Sequence, residues 1–349
     1  MKPPRERAAC RLLAAIALAA TLVGAPALAA PAKWNVARGN RPWRAAALAA
    51  LKARGDDNSL ATAALIDHGT DALALAGRAA QLAPDDPAIA WINLRVCAQS
   101  PGCDIRGDAT ELRWLDPDNS AAWLPTLAAA MSNRDSVQTD HVLAHMARGA
   151  DVDFYWNAIV VRMFDSLRAV ANHVPGRAID SDAAILAVVE HLAAAQIIPP
   201  LSPLIDACRA TKADSQRRMS CTTIAHLLER ADTVDAQYAG FSIGRRLTPF
   251  ESREFYALGE RRRVLAWRVA TAARFGKPLL PWLKSAHARW RIARMRTLAR
   301  QEDVILAVLR DHGMPLDPPP PPPPCYDSSV NADAGAAVPA GSAAGSAAA

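Results

Sequence analysis

Leu82-Ala83-Pro84-Asp85-Asp86-Pro87-Ala88-Ile89-Ala90-Trp91 is echoed by Leu115-Asp116-Pro117-Asp118-Asn119-Ser120-Ala121-Ala122-Trp123. Gly149-Ala150-Asp151-Val152-Asp153-Phe154-Tyr155-Trp156 fills the same place a third time, so the tryptophans stand 32 and 33 residues apart. A period of roughly 20–50 residues is the mark of stacked helical hairpins. One hairpin cannot bury its apolar face alone, and a Trp wedged against the next hairpin closes the core. Trp91, Trp123 and Trp156 are therefore the expected repeat core. The expected fold class is all-α, a helical-hairpin repeat array or α-solenoid.

Composition agrees. The chain has 349 residues, of which 77 are Ala, and hydrophobic residues make up 51%. Ala is the strongest helix former, with Leu and Arg close behind. No pair of alternating Val/Ile/Thr runs is joined by a hairpin signal. Thr70-Asp71, Asp118-Asn119-Ser120 and Asp180-Ser181-Asp182 read as helix starts, and Gly149, Gly176 and Gly313 as stops. A collagen, a wholly disordered chain and a small disulfide-only scaffold are excluded.

The repeated unit resembles the tetratricopeptide repeat. Pro117 and Trp123 have that family's six-residue spacing, and Pro84 and Trp91 miss it by one. The Leu expected three residues after the Trp is Leu94 in the first unit and Ile159 in the third; the second has Thr126, with Leu127 beside it. Thr139 and Met146 stand where the family has small residues in its second helix. The resemblance covers residues 58–172. It implies a scaffold that binds a protein or peptide partner.

The N-terminus reads as an address. Lys2, Arg5, Arg7 and Arg11 precede the uncharged, mostly apolar run from Leu12 to Val23, and Ala27-Leu28-Ala29 follows as a small-x-small site. This is the layout of a secretory signal peptide at residues 1–29, cleaved near Ala29. The expected location is the periplasm, and the mature chain has no run long enough to span a bilayer. Cys10 leaves with the signal. In an oxidising compartment close cysteines pair, so Cys97 with Cys103 and Cys208 with Cys221 are expected disulfides. Cys325 is left over.

Charge divides the rest. Residues 241–300 hold 15 basic and 3 acidic residues, against 20 basic and 24 acidic in residues 31–240. The expected organisation is a helical repeat region at 30–240, a basic helical region at 241–317 and a disordered tail at 318–349. The tail opens on seven prolines, Pro318 to Pro324, a polyproline II rod of roughly 22 Å. Arg289, Arg291, Arg294, Arg296 and Arg300 surround a helix whose apolar face is Ala286, Trp290, Ala293, Thr297, Val304 and Val308. Those arginines either meet an anionic envelope surface or pair with the acids of the repeats; nucleic acid does not suit an exported chain.

No catalytic, cofactor or metal site is expected. There is no phosphate-binding Gly loop and no nucleophile elbow. Ser215 to Arg218 approaches a Ser-x-x-Lys motif but has Arg in the last position and is read as loop. His141 and His145 are four apart on one helix face without a third ligand, and read as polar surface. The leading expectation is a peptide- or protein-binding scaffold acting through a groove in its repeats. The rivals are an envelope enzyme with a dispersed site and a structural factor gripping an anionic surface.

Overall fold

The computed structural model describes residues 41–67, 69, 71–174, 179–209, 215–275 and 280–320. The expected signal segment, Cys10, Thr70, Gly176, Cys325 and the residues beyond Pro320 lie outside them. Among the described residues the fold is all-α, with fifteen α-helices and no strand. They are α1 Arg41–Arg54, α2 Asp57–Ile66, α3 Ala72–Leu82, α4 Pro87–Cys97, α5 Ile105–Leu115, α6 Leu124–Ser132, α7 Ser136–Met146 and α8 Trp156–Val170. There follow α9 Asp182–Gln196, α10 Ser202–Arg209, α11 Ser215–Leu228, α12 Val234–Leu247, α13 Arg253–Phe275, α14 Pro281–Met295 and α15 Gln301–Asp311. Among the described residues no helix is long and apolar enough to cross a membrane.

The helices begin where short polar side chains satisfy the first free N–H groups. Asp86 accepts from the Ala88 and Ile89 amides at the start of α4. Ser181 accepts from Ala184 at α9, and Thr233 from Ala236 at α12. Asn119 accepts from Ala121 in a 3-10 turn, Ser120–Trp123, and not at an α-helix start. Gly149 follows α7, but its role is close approach. A Cβ there would lie 2.2 Å from Ser120 Oγ and 2.7 Å from the Asp118 carbonyl, beside the bridge that pairs Asn119 with Asp151.

Helices α1 to α5 pack in succession, and α8 returns against α1 and α2. Trp91 is fully buried; its indole lies 5.5 Å from the Phe154 ring and its Nε1 donates to the Ile197 carbonyl at 3.2 Å. Arg95, one turn on, donates to the Gln196 carbonyl. Trp156 is buried as well. Trp123 differs from the expected core role. It sits half-buried in the 3-10 turn, with Arg113 at 4.3 Å over its ring and His145 stacked on it at 4.4 Å. The tight turn places this indole at the rim of the core.

Cys97–Cys103 and Cys208–Cys221 are disulfide-bonded. The first closes the turn between α4 and α5, and the second joins α10 to α11. Ser215 to Arg218 form the first turn of α11, not a loop.

The described residues from 41 to 318 belong to one compact unit. Of the other unit, residues 1–35 and 319–349, only Pro319 and Pro320 are described. The boundary expected at 240/241 falls inside α12. The reason is packing: Gly240 lets α12 press on α11, so a charge step along the chain is no break in the fold. The basic helix of the sequence reading is two helices, α14 and α15. The buried line of α14 is Ala288, Ile292 and Met295, while Ala293 is exposed.

Candidate functional site

Helices α11, α12, α13 and α15 enclose a cleft of about 600 Å³. Close helix contact makes its wall. A Cβ on Gly240 would lie 2.7 Å from the Glu229 amide nitrogen and 2.8 Å from the Ala225 carbonyl oxygen, so only Gly permits this spacing. The crossing holds Glu229, just past the end of α11, against the cleft. Phe241 and Leu265, both buried, join Val234 and Leu258 in a small hydrophobic cluster of their own, and with Val264 they supply the apolar lining.

The rest of the lining is charged in both signs. Glu229 is nearly buried, its side chain 10% exposed; its Oε2 meets the Arg261 guanidinium at 3.1 Å. Among the described residues its Oε1 has no hydrogen-bond donor; His226 Nδ1 lies 3.3 Å away without the alignment of a hydrogen bond. Arg261 also binds Glu254, and Glu260 is held by Arg263. Arg268 spans from Glu302 at 2.9 Å to Asp317 at 2.9 Å and donates to the Leu316 carbonyl. Arg230 is exposed in the lining and has no ion-pair partner among the described residues. The lining residues include no Ser, Thr, Cys or Tyr to act as a nucleophile.

A second acidic group is internal. Asp232 is buried and accepts from the Trp156 amide at 2.9 Å, where α8 starts. Its carbonyl accepts from the Gln301 amide at the start of α15. The Asp153 carboxyl faces it within hydrogen-bond reach. As two carboxylates they would repel and leave Asp232 Oδ1 without a donor. Burial first, then Asp153, raise the Asp232 carboxyl well above the ordinary range, so it keeps the proton and donates it to Asp153. Asp151, on the same loop, is pushed up to about 6 by burial and by Asp116, Asp153 and Asp118. Tyr155, at φ +56°, is pinned through its hydroxyl, which donates to Asp116 and accepts from Asn119 Nδ2. This node joins helix starts and is structural.

The five arginines expected at an anionic surface each have a carboxylate of their own chain. Arg289 binds Asp182, Arg291 binds Glu190, Arg294 binds Asp311, Arg296 binds Asp165 and Arg300 binds Asp303. Three of these pairs dock α14 and its C-terminal turn on α8 and α9. The chain matches no family model, no curated protein and no solved structure.

The cleft was missed in the sequence because its residues come from four helices. The one local signal was Gly240 and Gly244 inside an otherwise good helical pattern, a spacing that marks close helix contact.

Proposed function

We propose that this chain is an exported, periplasmic helical-array protein that binds a short peptide in the cleft over Phe241 and Leu265 and performs no chemistry there. The observation that carries the proposal is the Glu229 carboxylate. It is nearly buried; among the described residues one of its oxygens lacks a donor, and Arg230, which has no ion-pair partner there, lines the same cleft. A buried acceptor without a donor is costly, by about 1–3 kcal/mol. A peptide supplies an N–H for Glu229, a carboxylate for Arg230 and an apolar side chain for the lining. A volume of about 600 Å³ falls within the usual ligand range.

The same facts favour a binder over an enzyme: the acids are held by arginines, and the described lining residues include no nucleophile. They favour peptide over an anionic surface as well, because the α14 arginines are engaged internally. The two disulfides support an oxidising compartment. The tetratricopeptide resemblance supports a binding role, though the cleft lies beyond the residues that carry it.

An array of synthetic pentapeptides with free C-termini tests this, followed by calorimetric titration of the best binders. Glu229→Gln and Arg230→Ala are each expected to weaken binding by roughly tenfold or more, the scale of a lost hydrogen bond to a charged group. Arrays that bind nothing, or peptides that bind Arg230→Ala as well as the parent, overturn the proposal.

A further inference from the structure

On α7, His141 and His145 lie one turn apart, and their Nε2 atoms converge to 3.1 Å. The sequence spacing alone allows this; the structure shows the two rings turned toward each other, with centroids 4.5 Å apart at 65°. Metal–imidazole bonds of about 2.0–2.1 Å with nitrogens this far apart subtend an angle of roughly 98° at the metal. That lies between the square-planar and tetrahedral values.

The pair is held in place. Thr139, Val142, Leu143 and Met146 bury the other face of α7, which packs on α6 and α11. His145 is stacked on Trp123 at 4.4 Å, and Arg113 covers the same indole. Asp140 is engaged by Arg217. The other coordination positions are therefore left to water or to a ligand the metal carries.

We propose that His141 and His145 form an exchangeable chelating site for a divalent transition-metal ion, Cu²⁺ above Ni²⁺ and Zn²⁺. The order follows the general affinity series for imidazole ligands. In the metal-free chain one Nε2–H donates to the other Nε2. Binding moves that proton to Nδ1 of the same ring, so both Nε2 lone pairs face the metal and no net proton is released.

Trp123 makes the site readable. Cu²⁺ sulfate is titrated into the folded full chain, with both disulfides intact and the Cys10 and Cys325 thiols alkylated. One equivalent is expected to quench tryptophan emission. His141→Ala, at an exposed position, should weaken that equivalent by roughly tenfold or more, since even an outer-shell partner of a metal ligand is worth about that much. His145→Ala should do the same, and His141→Ala should not shift the melting temperature by more than the scatter between preparations. Trp123→Phe should keep the bound equivalent, counted by calorimetry, and lose the quench. Unchanged stoichiometry and affinity in His141→Ala overturns the site, as does a parent chain that takes up no Cu²⁺.

Discussion

Asp232 shows what a single side chain settles here. It lies between the Trp156 amide and the Asp153 carboxyl, where a neutral acid fits and a carboxylate does not. In the unfolded chain it ionises near pH 4; in the folded chain it holds its proton to higher pH. Above about pH 4 the unfolded state therefore binds fewer protons, and stability falls as pH rises through the raised folded value. Asp151, at about 6, acts in the same direction between about pH 4 and pH 6. His287 opposes them. Burial first, then Arg291 and His312, lower it to about 4, so folding loses stability as pH falls from about 6.5. The difference between variant and parent isolates Asp232. Asp232→Asn can donate to Asp153 and accept from Trp156 without ionising. Its melting temperature should match the parent near pH 3, below the unfolded pKa, and exceed it at pH 8. A variant less stable than the parent at pH 8 would show that the carboxylate is the native form. None of this was legible in the sequence, where Asp151 and Asp153 stand only as part of the third repeated stretch and Asp232 had no distinguishing neighbour.

At the scale of elements, the contact between α11 and α12 decides whether the cleft exists. Gly240→Ala places a methyl 2.7 Å from a backbone nitrogen and 2.9 Å from Leu228 Cβ, and neither gives way without moving a helix. The expected cost is about 2–3 kcal/mol, the upper range for overpacking, even after the gain in helix propensity from Ala. Gly77 in α3 is the control, because nothing lies within 4 Å of its Cβ position. Gly77→Ala should stabilise by roughly 0.5–1 kcal/mol. Urea melts of both variants check the pair; a neutral Gly240→Ala would mean that the helices separate freely. Much at this scale was readable: helix type, the Ser181 cap, the Gly313 stop and both cysteine pairs. The break between α14 and α15 was not, because Arg296 to Arg300 contain neither Gly nor Pro. Its cause is tertiary: the Leu298 carbonyl accepts from Asn157 Nδ2, and the Gln301 amide donates to the Asp232 carbonyl.

For the whole molecule, the question is whether the charge step near residue 240 separates two folding units. The contacts across it say otherwise. Asn157 reaches Leu298, Val234 reaches Gln301, and arginines at 289, 291 and 296 meet acids at 182, 190 and 165. Exposed ion pairs contribute about 0–1 kcal/mol each, so the buried line of Ala288, Ile292 and Met295 bears most of the docking. Residues 36–318 should therefore melt in one transition, with calorimetric and van't Hoff enthalpies in agreement. Moderate salt should shift that transition only slightly. Two resolved transitions would place a boundary inside α12.

Helical class follows from the sequence by itself, because an Ala-rich chain with caps and no strand pairing has only one way to satisfy its backbone. The disulfide partners follow too, from nearness along the chain. The depth of each tryptophan does not. Trp91, Trp123 and Trp156 recur at nearly equal spacing, yet the Trp91 indole meets Ile197, the Trp123 indole meets His145, and Trp156 meets Asp232 through its backbone amide. Burial depends on which distant segment returns to cover a side chain, and the cleft depends on four helices meeting. Local periodicity describes one face of one helix and carries no record of its partner.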